Sequence, residues 1–184
     1  ENIDFSTIKK NSRDSIRAST LVRAYRIRGH LLANLDPLGL QKPQEHPELK
    51  AETYGFNDEH TNKKIFLDGT LGLKSADLNT LIYEAKNIYC GNIGYEYMHI
   101  SNPTERKWFR DRVEKDENAL KFTVNGKSAI LNKLIQAEGF EKFLHTKYVG
   151  SKRFGLDGGE SLIPALEQII KIGGQSNIKE VKIG

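Results

Sequence analysis

Apolar residues recur at the spacing of an amphipathic helix along much of this chain, and this periodicity limits its possible folds more than any other feature. The clearest helix is predicted at residues 75–90, where Ser75 is a good N-cap and Gly91 is placed to end the helix. Its apolar face consists of Leu78, Leu81, Ile82, Ala85, Ile88 and Tyr89. A chain with this pattern is expected to be built mainly from helices.

A long irregular segment precedes that helix. An earlier helix at residues 6–33 is expected to end before Asp36-Pro37, because the residue that precedes a proline is pushed out of the helical region. Residues 38–73 then contain several prolines and glycines without a sustained period. Loops of this length are uncommon in compact domains unless they pack against another element or carry function. We therefore predict a long irregular excursion at residues 38–73.

Three later helices are indicated by caps and apolar spacing. Asn102 is placed to cap a short helix. Another helix is predicted near residues 128–145, after an Asn-Gly turn, and Gly139 is expected to bend or divide it. The last is opened by the glycines at 158 and 159 and closed by those at 173 and 174.

The final residues alternate like a β-strand, with Lys-Glu-Val-Lys-Ile at 179–183. A helix followed directly by a strand is how the opening of an α/β domain would look. We therefore predict a mainly α chain. Residues 1–149 would form a helical N-terminal module, and residues 150–184 would be the first helix and strand of a truncated α/β domain. Because the chain begins without methionine and ends within this strand, both ends are expected to be cut.

Charge and cysteine content argue against several classes of protein. The 28 basic and 24 acidic residues give a net charge of +4 and are interleaved, whereas a nucleic-acid reader gathers its cations on one face. No apolar run approaches the roughly 18 residues needed to span a bilayer, and no signal peptide opens the chain. Cys90 is the single cysteine, which excludes an intrachain disulfide and favours a buried structural thiol over a nucleophile. We expect no nucleic-acid or membrane partner and no metal site.

Arginines are concentrated in the first helix, at positions 17, 23, 26 and 28. They could hold phosphates, or they could form a solvated face or ion pairs across a subunit interface. The hydrophobic fraction of 38% is low for a compact domain, so some apolar faces are expected to contact protein outside this chain.

Two segments hold candidate functional side chains. The extended segment after the helix at 75–90 places Glu96 and His99 among polar-tipped aromatic residues. The alternative there is a core carboxylate and imidazole that are satisfied by hydrogen bonds. Further along, charges of both signs flank glycines before a helix N-terminus, so Arg153 and Glu160 could belong to an anion-binding or interface turn. The alternative for that segment is a linker between domains.

Four long motifs follow one another in a fixed order. The first reads Ala-Tyr-Arg-Ile-Arg-Gly-His at 24–30 and continues as Ala-Asn-Leu-Asp-Pro-Leu-Gly at 33–39. The others read Gly-Tyr-Glu-Tyr-Met-His-Ile at 94–100, Ala-Glu-Gly-Phe-Glu-Lys-Phe-Leu at 137–144, and Lys-Arg-Phe-Gly-Leu-Asp-Gly-Gly-Glu at 152–160. Together they span nearly the whole chain and resemble the motifs of 2-oxoglutarate dehydrogenase E1 subunits.

The resemblance implies an N-terminal piece of an enzyme that decarboxylates 2-oxoglutarate on thiamine diphosphate with Mg²⁺ and succinylates the lipoyl group of its E2 partner. This family works in the tricarboxylic acid cycle. It also implies a homodimer, a complex with the E2 succinyltransferase and E3, and a location in the bacterial cytoplasm or the mitochondrial matrix, of which the bacterial cytoplasm is favoured. The α/β domain that begins at residue 150 would then be the thiamine-binding domain.

The family's catalytic residues are not among those of this chain. Its His-Arg-Gly-Arg motif and its Gly-Asp-Gly…Asn motif for Mg²⁺ and diphosphate do not occur, and Gly155 and Asp157 replace the serine and glutamate of many relatives. We therefore expect no catalytic, cofactor-binding or metal-binding residue here, and no activity from the isolated chain. Arg153, Glu160, His99 and Glu96 stay candidates for the rim of the active-site cleft or an interface. The alternative function is a helical interaction or scaffold module without a catalytic role.

Overall fold

The computed structural model of this chain describes residues 5–115 and 122–184. Within those ranges it contains five α-helices and one two-stranded antiparallel sheet, which confirms the prediction of a mainly α chain. The helices are α1 (Phe5–Arg28), α2 (Leu78–Tyr89), α3 (Pro103–Val113), α4 (Val124–Lys147) and α5 (Leu162–Gln175), and the strands are β1 (Ile65–Phe66) and β2 (Ser75–Ala76).

The chain divides into two compact units, Glu1–Ala119 and Leu120–Gly184. The first unit contains α1, the small sheet, α2 and α3, and the second contains α4 and α5. The prediction of a helical module that ends at residue 149 and an α/β domain that begins at residue 150 stays a prediction.

The core of the first unit forms where α1 crosses α2. Leu21, Tyr25, Leu81 and Tyr89 are each no more than 1% exposed. Burying a large apolar side chain contributes roughly 1.5–3 kcal/mol, so this crossing is a main source of the unit's stability. Directly after α1, the backbone of Gly29 lies against α2, and an added Cβ there would lie 2.6 Å from the Cβ of Tyr89. Only glycine fits at this position without a shift of the backbone.

The predicted excursion at residues 38–73 packs onto α1. It is irregular apart from strand β1 and short 3-10 turns, which lie at Pro47–Leu49, Ala51–Tyr54, Asp58–His60 and Thr70–Gly72. Leu49 and Phe56 are buried in the same core as α1, and the hydroxyl of Tyr25 donates to the backbone carbonyl of Leu49 at 3.1 Å. The excursion thus completes the core of the first unit.

Two helix boundaries differ from the prediction because other residues provide the caps. Helix α2 begins at Leu78 with Asp77 as its N-cap, whose carboxylate accepts from the amide of Thr80 at 2.9 Å. Ser75, the predicted cap, is instead part of β2. Helix α4 begins at Val124 because the hydroxyl of Thr123 accepts from the amide of Gly126 at 3.1 Å.

The second unit differs from the prediction at two places. Helix α4 runs through Gly139 without a division. No strand forms at residues 179–183, since a strand needs a neighbour for its backbone hydrogen bonds and the described part of the second unit offers none. Large apolar side chains of α4 and α5 remain exposed there, among them Phe140, Phe143, Ile169 and Ile170.

Candidate functional site

The four candidate residues lie in different units. Glu96 and His99 belong to the first unit, whereas Arg153 and Glu160 belong to the second.

Glu96 and His99 are both exposed, so the interpretation of them as buried core residues is wrong. The Glu96 carboxylate lies 3.8 Å from Nε2 of His30, a contact in which the Glu96 side chain stays 70% exposed. Nδ1 of His30 is buried and has no hydrogen-bond partner within residues 5–115 and 122–184. A role for Glu96 and His99 at a cleft rim or interface stays a prediction.

A buried polar network lies next to this segment and joins α1, α2 and α3. The guanidinium of Arg26 donates two hydrogen bonds to the carboxylate of Glu114, at 2.6 and 3.0 Å. The hydroxyl of Tyr89 donates to the same carboxylate at 2.6 Å, and the hydroxyls of Tyr89 and Tyr97 lie 2.9 Å apart. Because Tyr89 donates to Glu114, Tyr97 donates to Tyr89.

The ionisation of this network is fixed by its surroundings. Burial, reinforced by the Glu114 carboxylate, raises the pKa of the Tyr89 hydroxyl far above its ordinary value, and burial also raises the pKa of Tyr97. Burial alone would lower the pKa of Arg26, but its bonds to Glu114 outweigh this effect and the pKa is raised. At neutral pH the network therefore consists of neutral tyrosines and a charged arginine. It is suited to hold three elements together and not to transfer protons.

A second buried carboxylate ties the excursion to α1. Asp14 is 2% exposed and accepts from the ammonium of Lys63 at 2.6 Å. Arg17 lies 3.7 Å from Asp14, and Nε2 of His60 lies 3.6 Å from it. A carboxylate this deeply buried is stable only with such partners. Neither network is predicted by the sequence, because the partners in their main contacts, Arg26 with Glu114 and Asp14 with Lys63, lie 88 and 49 residues apart.

In the second unit, Glu141 of α4 holds the glycine-rich turn that contains Arg153. The Glu141 carboxylate accepts from the amide of Leu156 at 2.6 Å. The guanidinium of Arg153 donates to the carbonyl of Tyr148 at 2.7 Å and lies 2.8 Å from Nδ1 of His145. These two contacts tie Arg153 to the C-terminal end of α4 and leave three of its five N–H donors for another partner.

Glycines and Glu160 shape the same turn. An added Cβ on Gly155 would lie 3.0 Å from Oε2 of Glu141, so the absence of a side chain lets the turn approach the carboxylate. The Glu160 carboxylate accepts from the amide of Gly158 at 3.1 Å, and Gly158 adopts a φ of +81°, which favours glycine. Both glutamates thus bind backbone amides of the turn.

A groove of about 1060 Å³ lies between α4 and this turn, wholly within the second unit. Its lining includes both turn-binding glutamates together with Arg153, His145 and Phe154. A surface of mixed charge with an apolar component is suited to contact another polypeptide. The structure thus brings Arg153 and Glu160 to one groove, and their role there stays a prediction.

Other groups with possible chemistry are structural in their surroundings. Burial raises the pKa of the half-buried Cys90 thiol, which disfavours the thiolate that a nucleophile needs. Over the ranges that the structure describes, no group of three or more His, Cys, Asp or Glu side chains could hold a metal ion. No helix among them is long and apolar enough to cross a membrane.

Comparison with known proteins supports the resemblance found in the motifs. The chain is 56% identical over 178 residues to the 2-oxoglutarate dehydrogenase E1 components of Brucella canis, Brucella suis and Brucella melitensis. The match covers 96% of this chain and 18% of each of these relatives. No family model matches the chain. Identity at this level over 96% of the chain confirms that the chain resembles part of a 2-oxoglutarate dehydrogenase E1 component.

Proposed function

We infer that this chain is a segment of a 2-oxoglutarate dehydrogenase E1 component, and we propose that its task in the enzyme is structural. The observation that carries the family assignment is the 56% identity over 178 residues. The whole enzyme would decarboxylate 2-oxoglutarate and transfer the succinyl group to the lipoyl group of an E2 subunit. The chain spans only 18% of the length of the curated relatives it matches, so this activity is proposed for the whole protein and not for the segment.

The buried networks support the structural role. The bidentate pair between Arg26 and Glu114 joins α1 to the C-terminal end of α3 across a separation of 88 residues. Tyr89 joins α2 to them through its hydrogen bond to Glu114. A pair with several hydrogen bonds and little exposure fixes the relative placement of the elements that carry it. The first unit would thus present the surface around Glu96 and His99 on a fixed scaffold.

We expect the cofactor of this family, thiamine diphosphate with Mg²⁺, to bind outside this chain, because the family's Gly-Asp-Gly…Asn motif for Mg²⁺ and diphosphate does not occur in its sequence. When bound, thiamine diphosphate would supply the nucleophilic carbon that attacks the keto group. We derive no step of that chemistry from this chain, and we propose that the cofactor site is built by other parts of the enzyme.

The partners proposed for the whole enzyme are a second E1 subunit, the E2 succinyltransferase and E3, in the tricarboxylic acid cycle of the bacterial cytoplasm. The exposed apolar side chains of α4 and α5, such as Phe143 at 58% exposure, would be covered by other parts of that assembly. The mixed-charge groove beside Arg153 and Glu160 would be a rim or interface in the same assembly.

Isothermal titration of this chain with thiamine diphosphate and Mg²⁺ tests the proposed division of labour. We expect no binding heat at cofactor concentrations up to about 1 mM. The Kd would then exceed about 1 mM, and the binding free energy would be weaker than about −4 kcal/mol. A full-length Brucella E1 component is the positive control. Micromolar binding by the chain alone would contradict the claim that the cofactor site lies elsewhere.

One observation favours the second candidate, a helical interaction module. The second unit buries almost no apolar side chain, while Phe140, Phe143 and Ile169 are each more than half exposed. Size-exclusion chromatography with light scattering distinguishes the two functions when it is repeated with the purified E2 succinyltransferase. Tight binding of E2 by this chain alone would favour the module, whereas self-association without E2 binding fits a segment that lacks the rest of its enzyme.

A further inference from the structure

A pocket of about 430 Å³ lies in the first unit between α1 and α3, and cations dominate its lining. Arg23 and Arg26 reach it from α1, while Arg106, Lys107 and Arg110 reach it from α3. No acidic side chain lines the pocket. The sequence indicated only that the arginines of the first helix could hold phosphates, and it gave no reason to expect α3 to add three more cations.

The charges of this pocket are only partly compensated. Glu114 binds Arg26, and Asp111 is shared between Lys107 and Arg110. Arg106 and Arg23 form no ion pair with any carboxylate of the described ranges, although Arg106 donates to the carbonyl of Ile100 at 2.9 Å.

The five lining cations thus face two carboxylates, which leaves a surplus of three positive charges around one small volume. Like charges held this close repel one another, and a bound anion removes that repulsion.

The shape and donors of the pocket identify the class of anion. Guanidinium groups match phosphate and carboxylate oxygens with paired hydrogen bonds. Arg23, Arg106 and Arg110 come from two helices. A phosphate group offers a separate oxygen to each of the three guanidinium groups, whereas a carboxylate has to share two oxygens among them. A volume of about 430 Å³ lies within the usual range of about 300–1,000 Å³ for small-molecule sites.

We propose that this pocket binds a small phosphate-bearing anion, held by Arg23, Arg106 and Arg110. The volume of the pocket suits a small anion and not an extended nucleic acid or acidic peptide. This site goes beyond the proposed function, because it lies wholly in the first unit and needs neither the substrate nor the cofactor of the enzyme.

The test is an NMR titration of the ¹⁵N-labelled chain with sodium pyrophosphate, in which sodium chloride keeps the ionic strength constant. We expect saturable shifts of backbone amides and arginine side-chain signals around the pocket. Arg23→Gln should weaken the affinity by about tenfold or more, because a charge-assisted hydrogen bond is lost. Arg13→Gln removes the same charge from an exposed position of α1 outside the pocket and is the matched control.

Each outcome decides the proposal. The site is supported if pyrophosphate binding is saturable, weaker in Arg23→Gln and unchanged in Arg13→Gln. A loss of affinity in Arg110→Gln would support it further. Shifts that grow linearly with concentration, or that fall equally in the two α1 variants, overturn it. Tighter binding of succinate or of an acidic hexapeptide than of pyrophosphate would overturn the assignment to a phosphate.

Discussion

The Arg26–Glu114 pair allows the most exact test of how the first unit is held together, through the substitution Glu114→Gln. The carboxylate accepts three hydrogen bonds, two from Arg26 and one from Tyr89. The side chains of Arg26 and Glu114 are only 16% and 11% exposed. Glutamine keeps the shape, but it removes the charge and turns an amide group toward the donors of Arg26.

The expected loss follows from that geometry. Breaking a buried ion pair by neutralising one partner costs about 3–5 kcal/mol, because the other charge stays buried without compensation. The residual exposure of this pair and the acceptor that glutamine retains reduce the expected cost to about 2–4 kcal/mol. This is a large part of the about 5–15 kcal/mol by which a domain is stable.

Urea denaturation followed by circular dichroism measures this loss. Glu59→Gln is the matched control, because it makes the same chemical change at an exposed position of the same unit. A double-mutant cycle with Arg26→Met should give a coupling free energy of about 1–3 kcal/mol, since the two side chains contact each other directly. Surface substitutions usually change the free energy of unfolding by no more than about 0.5 kcal/mol. If Glu114→Gln and the Glu59→Gln control differ by no more than this amount, the Arg26–Glu114 pair does not hold the first unit together.

Three other substitutions test separate features of the structure. Gly29→Ala places a Cβ 2.6 Å from the Cβ of Tyr89, so thermal unfolding should show a loss of about 1–3 kcal/mol, and an unchanged midpoint would contradict the close helix approach. Burial raises the pKa of Tyr25 from 10.0 to about 12, so the unfolded chain loses this proton first. The free energy of unfolding should therefore fall by about 2 kcal/mol as pH rises from 10 to 12. Urea titrations at both pH values should show a smaller fall in Tyr25→Phe, and an equal fall would count against burial as the cause. Gly155→Ala brings a Cβ to 3.0 Å from Oε2 of Glu141, so displacement of this half-buried carboxylate should cost about 0.5–1 kcal/mol in calorimetric unfolding, and a gain in stability would be the contrary result.

Local signals in the sequence predicted most of the helices, because a helix depends on spacing and caps within a few residues. The apolar face of α2 and its end near Cys90 are both read directly from neighbouring residues. The start of α2 was misplaced because Ser75 and Asp77 are both good caps, and the choice between them is made by the pairing of β2 with β1. That pairing is a contact with a distant part of the chain.

The polar networks could not be predicted, since nothing in the sequence around Arg26 indicates that its partner lies 88 residues further along the chain. The prediction of a strand at residues 179–183 failed for a related reason. Alternation of polar and apolar residues indicates a segment that can form a strand. The neighbouring strand that would accept its backbone hydrogen bonds has to come from other residues. The role of Glu141 in holding the glycine-rich turn is visible only in three dimensions, because Glu141 and Leu156 lie 15 residues apart.

A chimera tests most directly the claim that this chain is a structural segment of a 2-oxoglutarate dehydrogenase E1 component. The matched 178 residues of a Brucella E1 component would be replaced by the corresponding residues of this chain, and 2-oxoglutarate-dependent reduction of an artificial electron acceptor would be measured. We expect a kcat within about tenfold of the parent, which is a change of at most about 1.4 kcal/mol in the barrier. We also expect a marked loss of folded enzyme when the chimera carries Glu114→Gln. A chimera that folds with the parent's stability and binds thiamine diphosphate but has no activity would contradict the proposed structural role.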